Sequence, residues 1–153
     1  MADISQLIHC AEQKCKSNEV RLTAKRKQVL IGILSSQKAI SAYELADYCN
    51  HHFNEKFPIM TIYRILDFLE GESFVHKLQT SSKYVACSHI ACDHEHLVPQ
   101  FLICNDCQKV KEIHISKSIV NELNDNVQQA GFQMLSPQLE VNCLCDDCSK
   151  QLH

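Results

Sequence analysis

Two cysteine pairs, Cys104-Asn105-Asp106-Cys107 and Cys145-Asp146-Asp147-Cys148, are the residues of this chain best suited to chemistry. Two residues between the sulfurs let both thiolates of a pair face one ion. Two such pairs make the four-sulfur tetrahedron that zinc accepts without further geometric demand. We read Cys104, Cys107, Cys145 and Cys148 as one structural zinc site. The competing readings are a disulfide framework and a thioredoxin-like redox pair. The first needs an oxidising compartment, and no redox fold pattern surrounds the second. The interval between the pairs exceeds the usual zinc-ribbon gap, so it has to hold structure of its own.

A mixed set of His, Cys and Glu residues lies around the first pair, including His76, Cys87, His89, Cys92, His94, His96 and Glu112. An enzymatic zinc site is the rival use of such residues. The deaminase signature wants H-x-E ahead of P-C-x-x-C, whereas here the order is His94-Glu95-His96 and Ile103 precedes Cys104. A closed four-sulfur site also leaves no position for catalytic water. A zinc hydrolase or deaminase is therefore the minor reading, and no residue is assigned to catalysis. Cys10, Cys15, Cys49 and Cys143 have no evident partners in the sequence, although Cys143 stands close enough to the second pair to complicate its ligand assignment.

The elements that position these residues fit two small domains in 153 residues, with expected spans 1–86 and 87–153. No apolar run reaches the roughly 18 residues of a membrane span, and the first residues lack the basic and apolar regions of a signal peptide. A cytoplasmic protein with reduced cysteines is expected, which again favours metal over disulfides. The formal charge is −3, but it is unevenly placed. Through Lys83 there are 11 Lys and Arg against 9 Asp and Glu, a net of +2, whereas the remainder has 4 against 9, a net of −5. Lys14, Lys16, Arg21, Lys25, Arg26 and Lys27 crowd one stretch with Glu19 its only acid, a local basic footprint of the kind nucleic acid selects, though a solvated helix face has the same composition.

The N-terminal half reads as helices followed by a hairpin. Ile4, Leu7, Ile8 and Ala11 recur at helical spacing. Thr23 is placed to cap a second helix whose buried face is Val29, Leu30, Ile33 and Leu34. Ser41-Ala42-Tyr43-Glu44 forms a capping box for a short helix through about Cys49. Pro58 precedes a helix with Ile62, Ile65, Leu66 and Leu69 as its core stripe and Gly71 near its end. Residues 74–78 and 84–87 read as strands around the polar turn 79–83, so the whole is a winged helix. Thr61, Tyr63 and Arg64 then lie away from the core near the start of the last helix, where a recognition helix meets base edges. An Arg64 guanidinium can grip guanine O6 and N7, while Tyr63 and Thr61 can reach phosphate or a thymine methyl. Tyr43, Lys25 and Arg26 complete the expected DNA-binding set.

In the C-terminal half, residues 100–103 read as a strand entering the first cysteine pair and 109–115 as a strand leaving it. Residues 116–131 read as a helix and 139–141 as a strand into the second pair. Ile119, Val120, Leu123 and Val127 form an apolar helix face that we read as core, with the edge strands as the expected dimer interface. The fold class is α+β: an N-terminal winged helix and a C-terminal α/β domain with a four-cysteine zinc site.

These motifs together resemble the ferric uptake regulator (Fur) family, its zinc-responsive branch most of all. The resemblance is carried by Leu22-Thr23 with Arg26, Ile40-Ser41-Ala42-Tyr43, Thr61-Ile62-Tyr63-Arg64 with Leu66 and Leu69, Phe74-Val75-His76-Lys77, Tyr84-Val85-Ala86-Cys87 and the two cysteine pairs. It covers roughly residues 4–148. It implies a homodimeric, zinc-responsive repressor that binds an AT-rich pseudo-palindromic operator controlling zinc uptake genes. It also implies a regulatory zinc site of His76, Cys87, Glu112 and a histidine before the first pair. His96 is the choice for that histidine and His94 the runner-up, while His89 and Cys92 are alternates for a further site. At least two zinc ions per chain follow, one structural and one regulatory. A thiolate at Cys87 biases the regulatory site toward zinc over Fe(II) or Mn(II). An iron- or peroxide-responsive regulator of the same family is the alternative. Two departures stand out: Ala24 replaces a frequent proline, and Asn50 stands where a basic partner for Asp47 is expected.

Overall fold

The computed structural model describes residues 3–36, 38–91 and 98–151. The chain divides into two compact units, Met1–Asp93 and His94–His153.

Local sequence explains each element of the first unit. Its helices are α1 (Ile4–Ser17), α2 (Ala24–Ser35), α3 (Ala42–His52) and α4 (Ile59–Gly71). The Thr23 side chain accepts from the Arg26 amide at 3.4 Å and starts α2. The capping box of α3 is fully formed: the Glu44 amide donates to Ser41 Oγ at 3.1 Å and the Ser41 amide to Glu44 Oε1 at 3.3 Å. Helix α3 runs to His52, beyond the expected end near Cys49, because Tyr48 and His52 stack one turn apart with ring centroids at 5.0 Å. Val29, Leu30 and Ile33 of α2, Leu45 and Cys49 of α3, and Ile62, Leu66 and Leu69 of α4 meet in one buried core. Each such leucine or isoleucine contributes on the order of 1.5–3 kcal/mol. The absent side chain of Gly32 lets α2 and α3 approach: a Cβ there would stand 2.8 Å from Leu45 Cδ1.

The hairpin β1 (Val75–Leu78) and β2 (Lys83–Ala86) pairs antiparallel with Val75 opposite Ala86 and His76 opposite Val85. Ser82 takes φ 53° in the turn. Ile40 adds an antiparallel bridge to Tyr84 through bonds of 3.0 and 2.8 Å, a third short arm of the wing that the sequence pattern did not reveal.

The second unit holds β3 (Pro99–Cys104), β4 (Val110–His114), α5 (Lys117–Gln129), β5 (Leu139–Cys143) and α6 (Asp146–Gln151). The sheet order is β4-β3-β5, with β4 antiparallel and β5 parallel to the central β3. The parallel pair is fastened by Gln100, a buried polar residue only 2% exposed. Its side-chain oxygen accepts from the Leu139 amide at 2.6 Å and its nitrogen donates to the Pro137 carbonyl at 3.1 Å. The amide thus extends the ladder sideways and sets the register in which Cys104 lies opposite Cys143.

One expectation is corrected here. The apolar face of α5 is not core within the chain: no residue of α5 is buried, and Ile119 is 51% exposed. The pattern identified an amphipathic helix, but a three-stranded sheet offers it too little apolar surface to cover that face.

Candidate metal centre

The register of β3 and β5 brings the two cysteine pairs together. Cys104 ends β3, and the turn after it closes through a Gln108 amide bond to the Cys104 carbonyl at 3.0 Å, with Gln108 at φ 64°. The Asn105 amide donates to the Cys143 carbonyl at 2.9 Å, tying that turn to the end of β5. Two residues on, Cys145 enters α6, whose first turn carries Cys148. The four sulfurs of Cys104, Cys107, Cys145 and Cys148 all lie within 4.8 Å of one another, and Cys107 and Cys145 are 3.8 Å apart. A tetrahedron with Zn–S distances of about 2.3 Å has edges close to that separation, so the donors fit zinc in both type and spacing. Cys143 is not one of the four clustered sulfurs.

The clustered thiols differ in how readily they ionise. The amides of Cys107, Cys145 and Asp106 pull the Cys104 thiol down to about 6. Cys148 is pushed up to about 12, first by its hydrogen bond to Cys145 and then by burial. Four crowded thiols do not all ionise unaided, so metal binding here displaces protons.

The other expected ligands are placed unit by unit. His76 lies on β1, and Cys87 follows β2, buried, with its amide donating to the Phe74 carbonyl at 2.8 Å and its sulfur accepting from the His89 amide at 3.4 Å. The His89 ring meets Ser88 Oγ at 3.0 Å. Glu112 lies on β4 opposite Phe101. His114, which the sequence reading missed, shares that strand face, its Nε2 3.5 Å from Glu112 Oε1. The signal was available as an i, i+2 pair on a strand. Cys92, His94 and His96 lie outside the described residues.

The DNA-binding candidates separate into two groups. Tyr43 on α3 is 66% exposed and Tyr63 on α4 38% exposed; Arg64 is exposed beside Tyr63, with Thr61 half-buried one turn earlier. Lys25 and Arg26 each lie near an aromatic ring. The Arg26 guanidinium lies 3.7 Å from the Phe68 ring centroid and donates to the Arg21 carbonyl at 2.7 Å, and Lys25 sits over Phe57 at 5.4 Å. Arg26 is half-buried beside its ring, whereas Lys25 remains exposed.

A winged helix joined to an α/β unit that carries a four-cysteine cluster defines a metal-binding transcription regulator. The chain belongs to the ferric uptake regulator family, whose model matches residues 17–142. It is 34% identical over 143 residues to the zinc uptake regulation protein of Escherichia coli K12, covering 94% of this chain and 81% of that one. It is 27% identical over 145 residues to the peroxide operon regulator of Bacillus subtilis, covering 92% of each. A solved structure of a zinc uptake regulator complexed with zinc and DNA superposes with a TM-score of 0.84 at 29% identity, covering 99% of both chains.

Proposed function

We propose that this protein is a zinc-responsive transcriptional repressor that binds operator DNA as a homodimer and controls zinc uptake genes. The observation that carries the reading is its likeness, over nearly the whole chain, to zinc uptake regulators in sequence and in fold. The operator is an AT-rich pseudo-palindrome, and the work is cytoplasmic; among the described residues no helix is long and apolar enough to cross a membrane. The boundary between the winged helix and the dimerisation domain follows Ala86. The unburied face of α5 and the sheet edges β4 and β5 are the surfaces a second copy covers.

The regulatory zinc ligands are His76, Cys87, Glu112 and a histidine of the 92–97 segment, His96 first and His94 second. His89 and Cys92 are the alternates. This nitrogen, sulfur and oxygen set suits zinc better than Fe(II), because Cys87 supplies a soft donor. Bound there, zinc supplies coordination free energy to the DNA-competent state, and by linkage operator binding then raises zinc affinity by the same factor. Tyr63 and Arg64 read base edges, with Tyr43 and Thr61 fixing the helix against the backbone. Lys25 and Arg26 complete the DNA-binding set as part of the basic footprint of the first unit.

Fluorescence anisotropy with an AT-rich palindromic duplex under buffered free zinc tests the reading. Steep zinc-dependent binding is expected, abolished in folded Cys87→Ser and His76→Ala proteins. Arg64→Ala should weaken binding by about 1–3 kcal/mol. Binding driven by Fe(II) or Mn(II) instead of zinc would overturn the zinc reading, and no binding under any of these metals would overturn the DNA reading.

A further inference from the structure

We infer that Met60 is a specificity-determining residue: its side chain meets the C5-methyl group of a thymine in each half-site, so that the protein prefers thymine at that position. The inference rests on the proposed operator binding and adds a second base reader to it. Helix α4 has one covered face and one bare face. Ile62, Ile65, Leu66 and Leu69 are buried in the core, whereas Met60, Tyr63, Arg64 and Asp67 are exposed. Their spacing, i, i+3, i+4 and i+7, makes one row along the helix. Within that row Met60 is 61% exposed against 38% for Tyr63, so the apolar side chain stands further out than the aromatic one.

The two ends of α4 differ in charge, and the difference decides which end DNA meets. The first turn carries no acidic residue, whereas Asp67 and Glu70 stand in the second half. A polyanion therefore approaches the N-terminal end more favourably. Met60 lies in that first turn, next to Thr61 and one turn before Tyr63 and Arg64. Residues near the N-terminus of a recognition helix are the ones that reach base edges.

The chemistry of the side chain selects its target. A thioether has no hydrogen to donate, so a phosphate oxygen offers it nothing. In the major groove the edges of the base pairs present donors, acceptors and one apolar feature, the thymine methyl. An unbranched, polarisable side chain conforms well to so small an apolar surface. Thr61 also carries a methyl, but it is half-buried and shorter in reach. A single exposed apolar residue elsewhere on a surface calls for no explanation. At the outer edge of a reading helix it divides the work with Arg64, whose guanidinium matches guanine.

The test uses zinc-loaded, full-length protein and the AT-rich palindromic duplex, with deoxyuridine replacing thymidine at one position at a time in both half-sites. That exchange removes the C5-methyl group and keeps the hydrogen-bonding edge. One symmetric position should weaken wild-type binding by about fourfold per half-site, the worth of one buried methyl-sized group. Met60→Ala should bind the thymidine duplex more weakly and lose its sensitivity at that position alone, while Met60→Leu and Thr61→Ser keep it. Because Met60 is exposed, the alanine protein should melt at the wild-type temperature. A wild-type protein indifferent to deoxyuridine at every position, or a Met60→Ala protein as sensitive as wild type, would overturn the inference and leave operator binding standing. Failure of the wild-type protein to bind the thymidine duplex under zinc would overturn the DNA reading itself, and the role of Met60 with it.

Discussion

Residues 3–91 bury apolar side chains from four helices and a hairpin around one core, whereas the described residues from 98 onward bury only Gln100, Phe101, Cys104 and Cys148. Two of those four are proposed zinc donors and one is an amide that fastens two strands. The first unit is held by burial of Leu30, Leu45, Leu66 and their neighbours, each in contact with several elements. The second has an amphipathic helix with no buried residue and a small sheet, so coordination of an ion adds most to what its core supplies. The same chain thus joins a unit with a full apolar core to one with few buried side chains and four clustered cysteines that could hold a metal ion. That is a suitable division for a protein that responds to zinc.

Removing the structural ion should break this contrast most severely. Zinc coordination in small four-ligand domains is worth an apparent ~10–16 kcal/mol. Cys145→Ser, or prolonged chelation, should therefore unfold residues 98–151 while leaving the helical signals of the first unit in place. Two-dimensional NMR checks this, and loss of both sets of signals together would show that the units do not differ as described. Leu66→Ala reverses the contrast. It should cost about 2–5 kcal/mol in denaturant unfolding of the first unit, with bound zinc per chain unchanged.

Ile119→Asp sharpens the comparison at the α5 face, where no residue is buried among the described residues. Sedimentation should show a folded, zinc-containing monomer, because the substitution places charge in the proposed interface and not in any core. A dimer of normal affinity would point to the sheet edges instead. Gln100→Leu leaves the Leu139 amide without its acceptor, at a cost of about 1–3 kcal/mol, and should hasten zinc loss to a chelator by loosening the β3–β5 register.

The smallest effect is expected at the α3 capping box. Ser41→Ala should cost about 1 kcal/mol. Hydrogen bonding to Ser41, aided by the Lys83 charge, holds the Glu44 carboxyl below its ordinary value of 4.5. A depressed folded value stabilises the protein above that ordinary value, and the contribution disappears as pH falls through the folded value. The cost of Ser41→Ala should therefore shrink in acid, which thermal melts at pH 6 and pH 3 would show.

Much of this was legible in the sequence because it was local. The Ser41–Glu44 box, the Thr23 cap, the stripe on α4 and the hairpin each follow from residues a few positions apart. Chain order and side-chain chemistry suffice for them. The cysteine pairs were legible for the same reason, since two intervening residues fix how two thiolates can face one ion. The resemblance to a family supplied the proposed regulatory ligands, which spacing alone does not select.

Tertiary structure decided what depends on distant residues meeting. That Cys104 lies opposite Cys143 follows from the parallel register of β3 and β5, which joins segments 39 residues apart through Gln100. Arg26 and Lys25 carried the composition of a DNA-binding stretch, and only the helix packing set Phe68 and Phe57 beside them. Amphipathicity showed that α5 has an apolar face, and only the size of the sheet decided that the face stays uncovered within one chain. Sequence fixes which groups are near one another when the chain is short between them; packing fixes the rest, because contacts across a fold are chosen by shape and burial together.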